Sequence, residues 1–516
     1  MSIFLPYFVY PGTVRFHNRV INHGYHGRFG RLIKEHKLKS IHGNLKRVLT
    51  SVFILALVSA CATGNHTAPA DAMASADHQV LAAWVVVGDQ GVATARVITE
   101  AQGCPALIQD GVASVMQVRA QPATIPQRHV SSGSADMTSD KPAAFPVLTC
   151  EAPLNAGVVV ATVSGISLPV PKAVPLKILV LGDTGCRLKA EGNAFQMCND
   201  SAKWAFSTVT KTAAGFRPDL VIHVGDYEYR ESPCPANIAE CADSPWGFGW
   251  DAWQADFFTP AAPLLAAAPW VMARGNHEIC ARAGQGWWRF LDSHAYQAGR
   301  DCNNEADDMQ GDYSAPYAVP LGAGAQLIMF DSSKTTGKPL AKNDPAYSIY
   351  LNEFKQVDQL ARQAPFSIFV EHHPILGFAP EKGKAGGVEV RPGNPALQSV
   401  MSDIHPQRLF DPNVQLLLAG HVHLFEAITF GTDHPMQIVS GNGGSSPDVD
   451  LPTVLPAKAT PFPEARVDHF NSTSLSGFMT MERASVNATE WTIKSWDKNG
   501  VLMTTCIVGK EKKICS

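Results

Sequence analysis

Five short apolar runs in this chain each end in Asp, Asn or His, and that recurrence constrains the fold more than any other feature. Asp219 to Val224 reads as a buried strand and leads into Gly225-Asp226-Tyr227-Glu228-Tyr229. Leu176 to Leu181 ends in Gly182-Asp183-Thr184-Gly185, and Pro269 to Ala273 in Arg274-Gly275-Asn276-His277-Glu278. Phe366 to Val370 ends in Glu371-His372-His373-Pro374, and Val414 to Leu418 in Ala419-Gly420-His421-Val422-His423. In open α/β sheets, ligands collect in the crevice beyond the carboxyl ends of the strands. Donor residues just past five strand ends predict one shared metal centre. Asp226 is the expected bridge between two ions, and the phenol of Tyr229, three residues on, could reach the same point.

The available donors are carboxylate, amide oxygen, imidazole and phenolate. Hard oxygens with imidazoles suit Fe, Mn, Zn or Mg rather than copper(I). A bridging carboxylate can hold two ions about 3.5–4 Å apart, the spacing of two-metal hydrolases. Such a pair generates a metal-bound hydroxide near neutral pH and clamps the phosphoryl oxygens of an in-line displacement, so no Ser or Cys nucleophile is needed. A free phenol ionises near pH ~10. Tyrosinate at low pH therefore needs a strong Lewis acid, for which Fe(III) is the natural candidate; the alternative is a neutral Tyr229 hydrogen-bonded nearby.

The 516 residues, 45% hydrophobic and 17% charged, are enough to bury a large core and to form two domains. The formal net charge is -4. Residues 1–60 hold nine Lys/Arg and one acidic residue, leaving 33 basic against 45 acidic beyond them. An acidic mature chain is a poor binder of nucleic acid by charge. Lys46-Arg47, the apolar stretch Val48 to Val58 and Ser59-Ala60-Cys61 have the layout of an export signal, and the apolar stretch is too short to span a bilayer. Val58-Ser59-Ala60-Cys61 resembles the lipobox of bacterial lipoproteins, which implies cleavage before Cys61 and a lipid on its sulfur; an ordinary signal peptide is the alternative. The chain is thus expected to be exported, either to the bacterial cell envelope as a lipoprotein or as a secreted protein.

Residues 1–60 are accordingly read as leader and signal peptide, and 61–79 as a tether. Residues 80–170 carry short β-rich runs without helical periodicity and are expected to form a small β-sandwich. Residues 175–516 form the catalytic domain. With Cys61 set aside, ten cysteines remain and fall into neighbouring pairs: Cys104/Cys150, Cys186/Cys198, Cys234/Cys241, Cys280/Cys302 and Cys506/Cys515. Export favours disulfides, and proximity suggests this pairing. Ser201 to Thr212 looks helical, Leu351, Phe354, Val357, Leu360 and Ala361 recur at helical spacing, and Asn499-Gly500 reads as a hairpin turn. Ile279 to Tyr317 is a long excursion expected to shape specificity.

Together, Gly182-Asp183-x-Gly185, Gly225-Asp226-x-x-Tyr229, Gly275-Asn276-His277-Glu278, Val370-x-His372-His373 and Gly420-His421-x-His423 resemble the motifs of the calcineurin-like metallophosphoesterases. Because of Tyr229, the set looks most like the purple acid phosphatases. The resemblance implies a four-layer αββα sandwich, here preceded by the small all-β region. It implies one ion held by Asp183, Asp226, Tyr229 and His423, probed by colour if it is Fe(III), and a divalent Fe, Zn or Mn held by Asp226, Asn276, His372 and His421. His277 would lie over the substrate, stabilising the phosphoryl group or protonating the leaving group. Many family members have Asp-x-His at the first motif; here Asp183-Thr184-Gly185 lacks that histidine, and Tyr229 would supply the replacement. The family's His-x-Pro pattern selects His372 as ligand and leaves His373 beside it or facing substrate, whereas strict spacing from Val370 would select His373.

Glu278 is expected to hold His277, Arg274 to be structural or at the surface, Asp331 to be structural and His223 to be a satisfied core histidine. The expected function is hydrolysis of small phosphate monoesters, with catalytic roles for Asp226, His277 and His373. A phosphodiesterase or nucleotide-hydrolysing enzyme on the same centre is the near alternative. A surface-anchored binding lipoprotein with a vestigial site is the distant one.

Overall fold

The apolar runs form the central strands of two facing sheets. Lys177–Leu181, Leu220–His223 and Trp270–Met272 lie parallel, with Ile178 opposite Leu220 and Val221 opposite Trp270. Ala325–Met329, Phe366–Val370, Val414–Ala419 and Met436–Ser440 are parallel neighbours in the second sheet. Side chains alternate across each strand. Ile178, Val180, Ile222 and Val271 share one core with Leu327, Ile368, Leu416 and Met436. Leu179, Leu181 and Val221 turn the other way, into a core completed by Phe206, Val209 and Ala213 of the helix Phe206–Gly215 and Leu264 of the helix Thr259–Leu265. Phe369 and Leu417 pack with Phe354 and Val357 of the helix Pro345–Ala361 and Leu397 and Val400 of Pro395–Met401. The result is a four-layer αββα sandwich, and burial on both faces is why the strands read as continuous apolar runs. This computed structural model describes residues 79–126, 128, 141–383 and 386–516; the leader, Cys61 and nearly all of the tether lie outside the described residues.

Residues 80–170 are all-β, as their short runs imply, but four of their strands join the first sheet instead of standing apart from it. Val80–Val87 lies parallel to Trp270–Met272, Val86 opposite Trp270. Ala93–Thr99, Leu148–Pro153 and Gln117–Ala120 continue outward, so the first sheet has eleven strands among the described residues. A separate four-stranded sheet, which includes Ala106–Gln109 and Ala161–Val163, sends Leu107 and Val163 into the inter-sheet core. The alternating burial of a strand specifies a face, not a partner, so this pairing is invisible locally.

Several local signals carry straight through to structure. Asp344 accepts a hydrogen bond from the Ala346 N–H and Pro345 opens the helix, which runs to Ala361. Gly500 takes φ 82° in the turn between Trp491–Asp497 and Leu502–Val508. All five neighbouring cysteine pairs are disulfides. The first helix starts at Phe206 rather than Ser201, because Asp200 accepts from the Ala202 N–H and the Trp204 indole donates to Thr184 O. The segment after Ile279 is less of a free loop than its length suggests: Trp287, Trp288, Phe290 and Leu291 are buried in the core beneath the first sheet. Among the described residues no helix is long and apolar enough to cross a membrane.

Glu426 gives the fold a pH dependence. It is fully buried on Phe425–Phe430, where its carboxylate accepts from the Phe378 N–H at 3.1 Å, and burial pushes its pKa up to about 8. A raised carboxyl pKa means that the folded state holds the extra proton between its unfolded value near ~4.3 and its folded value. Its stabilising contribution is therefore complete below that window and falls as pH rises through it. Glu426→Gln should flatten the pH dependence. In urea melts the variant should gain on the wild type by about 2–4 kcal/mol between pH 5 and pH 8, and a constant difference would remove Glu426 as the cause.

Candidate metal centre

Five loops at the carboxyl ends of the central strands converge, and three of them turn through the left-handed region. Asp183, Asp226 and His421 have φ of 55°, 58° and 71°. Such a conformation costs about 1–2 kcal/mol for a residue with a Cβ, so the surroundings must impose it. The Asp183 and Thr184 N–H groups donate to Gly225 O and Asp226 O, which ties the first two loops together. Glu278 fixes the second: its carboxylate accepts from the backbone N–H groups of Gly275 and Asp226 at 3.1 Å, Tyr227 at 2.8 Å and Glu228 at 3.3 Å. The expectation that Glu278 holds His277 is thus corrected. It holds the Asp226 loop, because four converging N–H groups bind a carboxylate better than one imidazole would.

The sequence-selected side chains gather into two groups that share one oxygen. The Tyr229 hydroxyl lies 2.7 Å from Asp226 Oδ2, 3.1 Å from Asp183 Oδ1 and 2.9 Å from His423 Nε2. His372 Nε2 lies 3.2 Å from the same Asp226 Oδ2 and 3.1 Å from Asn276 Oδ1, which is 3.0 Å from His421 Nδ1. Tautomers follow from the outer contacts. His372 Nδ1 faces Val224 O at 2.9 Å and His423 Nδ1 faces Ser446 O at 2.7 Å. Carbonyls only accept, so both rings carry a proton on Nδ1 and turn Nε2 toward the centre. His421 and His423, two apart in sequence, reach different groups because the left-handed turn at His421 breaks the strand's alternation.

His372 is the histidine that reaches Asp226 and Asn276. His373 instead places Nδ1 3.2 Å from Ser332 Oγ. That hydroxyl already accepts from the N–H groups of His372 and His373. Its own proton therefore goes to His373 Nδ1, and His373 keeps a donor N–H on Nε2.

The chemistry of this donor set fits two cations. Asp183 and Asp226 are fully buried, and buried anions need positive charge beside them. Donor atoms of Asp183, Asp226 and His372 lie within 4.8 Å of one another, as do those of His372, His373 and His421. All are oxygen or imidazole nitrogen, and no thiol competes. Burial, then the carboxylates of Asp226 and Asp183, pushes the Tyr229 phenol well above its ordinary pKa. The chain alone keeps Tyr229 neutral; only a cation beside it inverts that preference.

His277 sits at the rim of the first group. Its ring lies 3.7 Å, centroid to centroid, from that of Tyr229, and its Nε2 is 3.9 Å from Asp226 Oδ2. Its Nδ1 faces Glu228 O at 3.1 Å and Glu231 Oε1 at 3.2 Å, and Arg282 pairs with Glu231 alongside. Burial first, then Arg282, lowers the His277 pKa to about 4. Glu231 and Arg282 belong to no motif, and the sequence reading passed over them. Asp256 was also missed: it accepts from the N–H groups of Cys186 and Tyr229 and from Arg230 Nε. A lone acid among Trp253, Phe257 and Phe258 is the signal that could have found it. Arg274 is structural but buried, donating to Glu278 O and Gly311 O. His223 is a core histidine, 3.1 Å from Thr184 Oγ1 and stacked on Tyr227. Glu231→Gln should lower kcat by about ten- to a hundredfold, the usual scale for an outer partner of a site histidine. Metal content should stay constant, and an unchanged rate would make the pair with His277 incidental.

Two facing sheets with donors gathered at their strand ends are the architecture of a metal-dependent phosphoesterase. Residues 176–425, just under half of the chain, match the calcineurin-like phosphoesterase family. Among curated proteins the chain is similar to "Probable purple acid phosphatase 20" of Arabidopsis thaliana, 23% identical over 358 residues, 67% of this chain and 69% of that one. It is also similar to "Probable inactive purple acid phosphatase 27" of the same plant, 23% identical over 257 residues. That match covers 48% of this chain but only 36% of the relative's length. Its fold resembles the purple acid phosphatase PPD1 from yellow lupin (Lupinus luteus) seeds, with a TM-score of 0.50 and 14% identity, over 83% of this chain and 74% of that one.

Proposed function

We propose that this chain is an exported, dinuclear-metal phosphatase that hydrolyses phosphate monoesters in acid. The observation that carries the reading is Asp226 Oδ2, shared between the Tyr229–His423 group and the His372–Asn276 group. Asp183, Asp226, Tyr229 and His423 would hold Fe(III); Asp226, Asn276, His372 and His421 would hold a divalent Fe, Zn or Mn. When bound, the two ions supply Lewis acidity that activates water and neutralises charge developing on the phosphoryl group. The chain's own contribution is positional. His277, steadied by Glu231, covers the first group and serves the phosphoryl oxygens or the leaving group. His373 offers its Nε2–H on the opposite side. The substrate is a small phosphorylated molecule, not a nucleic acid scaffold. Ten paired cysteines support an oxidising compartment, and Cys61 is the proposed site of a lipid anchor.

The test is metal analysis with a visible spectrum on one signal-free sample, followed by parallel rates on a monoester and a diester. One iron plus one divalent metal, a purple band and faster monoester turnover are expected. A colourless dizinc protein that prefers diesters would replace the reading with the diesterase, and metal without any turnover would support the vestigial site. Tyr229→Phe should abolish the purple band, and a band that persists would exclude tyrosinate as its source.

A further inference from the structure

Beside the second group of donors the surface sinks into a cavity of about 330 Å³, within the size range of small-ligand sites. His373 and His421 form the wall it shares with the metal centre. Much of the remaining wall is apolar, with Pro374, Phe378, Pro392, Pro395 and Val422, and Arg391 and Asn394 are its polar members. Phe378 and Pro392 face each other across a hairpin of Phe378–Lys382 with Val388–Pro392. This wall is built before any ligand arrives. The Phe378 N–H is held by Glu426, the Asn394 N–H donates to Pro374 O, and the Asn394 side chain caps the helix Pro395–Met401. Among the described residues no carboxylate lines the cavity, and the lining cation Arg391 is paired with Glu381.

We propose that this cavity receives the leaving group and that the substrates are phosphate esters of apolar alcohols, aliphatic or aromatic, rather than of sugars or polyols. The inference rests on the phosphoester reading above and narrows its substrate class. With the phosphoryl group at the metal centre, an ester oxygen on the His373 side directs its carbon chain against Pro374 and Phe378. Hydroxyls on that chain would leave water for proline rings and find few partners, a loss that an apolar chain does not suffer. His373, a donor at the shared wall, is placed to meet the ester oxygen.

The test uses inert n-alkylphosphonates, from methyl to hexyl, titrated calorimetrically into the metal-loaded full chain, so that it does not depend on turnover. Affinity should rise about two- to fourfold per methylene as each is buried, making hexylphosphonate at least about thirtyfold tighter than methylphosphonate. Equal affinities along the series would overturn the proposal. Ala379→Trp, which fills the cavity from the hairpin side, should cut hexylphosphonate affinity by about tenfold or more, with metal content reporting that the variant is folded. A chain-length gain that survives this substitution would also overturn the assignment, because the apolar contact would then lie elsewhere. A gain in binding with no hydrolysis of any monoester would leave the cavity standing and remove only the phosphatase reading.

Discussion

Asp226→Ala should lose both metal ions and turnover together. Asp226 Oδ2 serves both donor groups, while Oδ1 accepts from the His277 N–H at 2.8 Å. Removing the carboxylate deletes the oxygen common to the two groups and slackens the loop that carries His277. It also strips one of the two buried anions, Asp183 and Asp226, that would face the cations. Loss of the activated water and of charge neutralisation is worth several kcal/mol each, so kcat/KM should fall by on the order of 10⁴ or more. Metal per chain after desalting and initial rates on the same sample decide the matter. Two retained ions with full activity would end the bridging role, and loss of one ion alone would assign Asp226 to a single group.

Gly225→Ala should strongly destabilise the fold at the centre. Gly225 has φ 102°, outside the range of ordinary L residues. An added Cβ would stand 2.5 Å from His372 Nδ1 and 2.9 Å from the Gly275 backbone. Neither can yield: His372 Nδ1 is bound to Val224 O, and Gly275 is held by Glu278. The left-handed strain and the overpacking together should cost about 2–5 kcal/mol, read from chemical melts. Metal affinity should fall as well, since the clash pushes His372 from Asp226. A neutral substitution would show that the two loops are free to separate.

Much of this molecule was legible because its signals are local. Five strand ends, the helical spacing from Leu351 to Ala361, the turn at Gly500 and the close cysteine pairs each lie within one short stretch. The donor residues were legible because each follows a recognisable strand, and their types alone name the chemistry. His223, too polar for the core on composition, still reads as structural because it lies inside a strand rather than past its end.

Other features depend on residues distant in sequence. Glu231 and Arg282 flank His277 from loops that only the fold brings together, and Asp256 reaches back to Cys186 and Tyr229. The role of Glu278 depended on four N–H groups from two loops. The segment after Ile279, expected to shape specificity, buries its aromatic residues, while the cavity at the centre is walled by the hairpin after Phe378. Length in sequence could not tell a packed excursion from an open one. The sequence by itself determined the central strands and the donors at their ends, because strand patterning and donor chemistry are properties of short stretches, and its motifs implied the sandwich through the family they resemble. Tertiary structure decided which strands adjoin, which nitrogen of each histidine faces inward and where an apolar cavity opens, because those follow from the pairing of surfaces far apart along the chain.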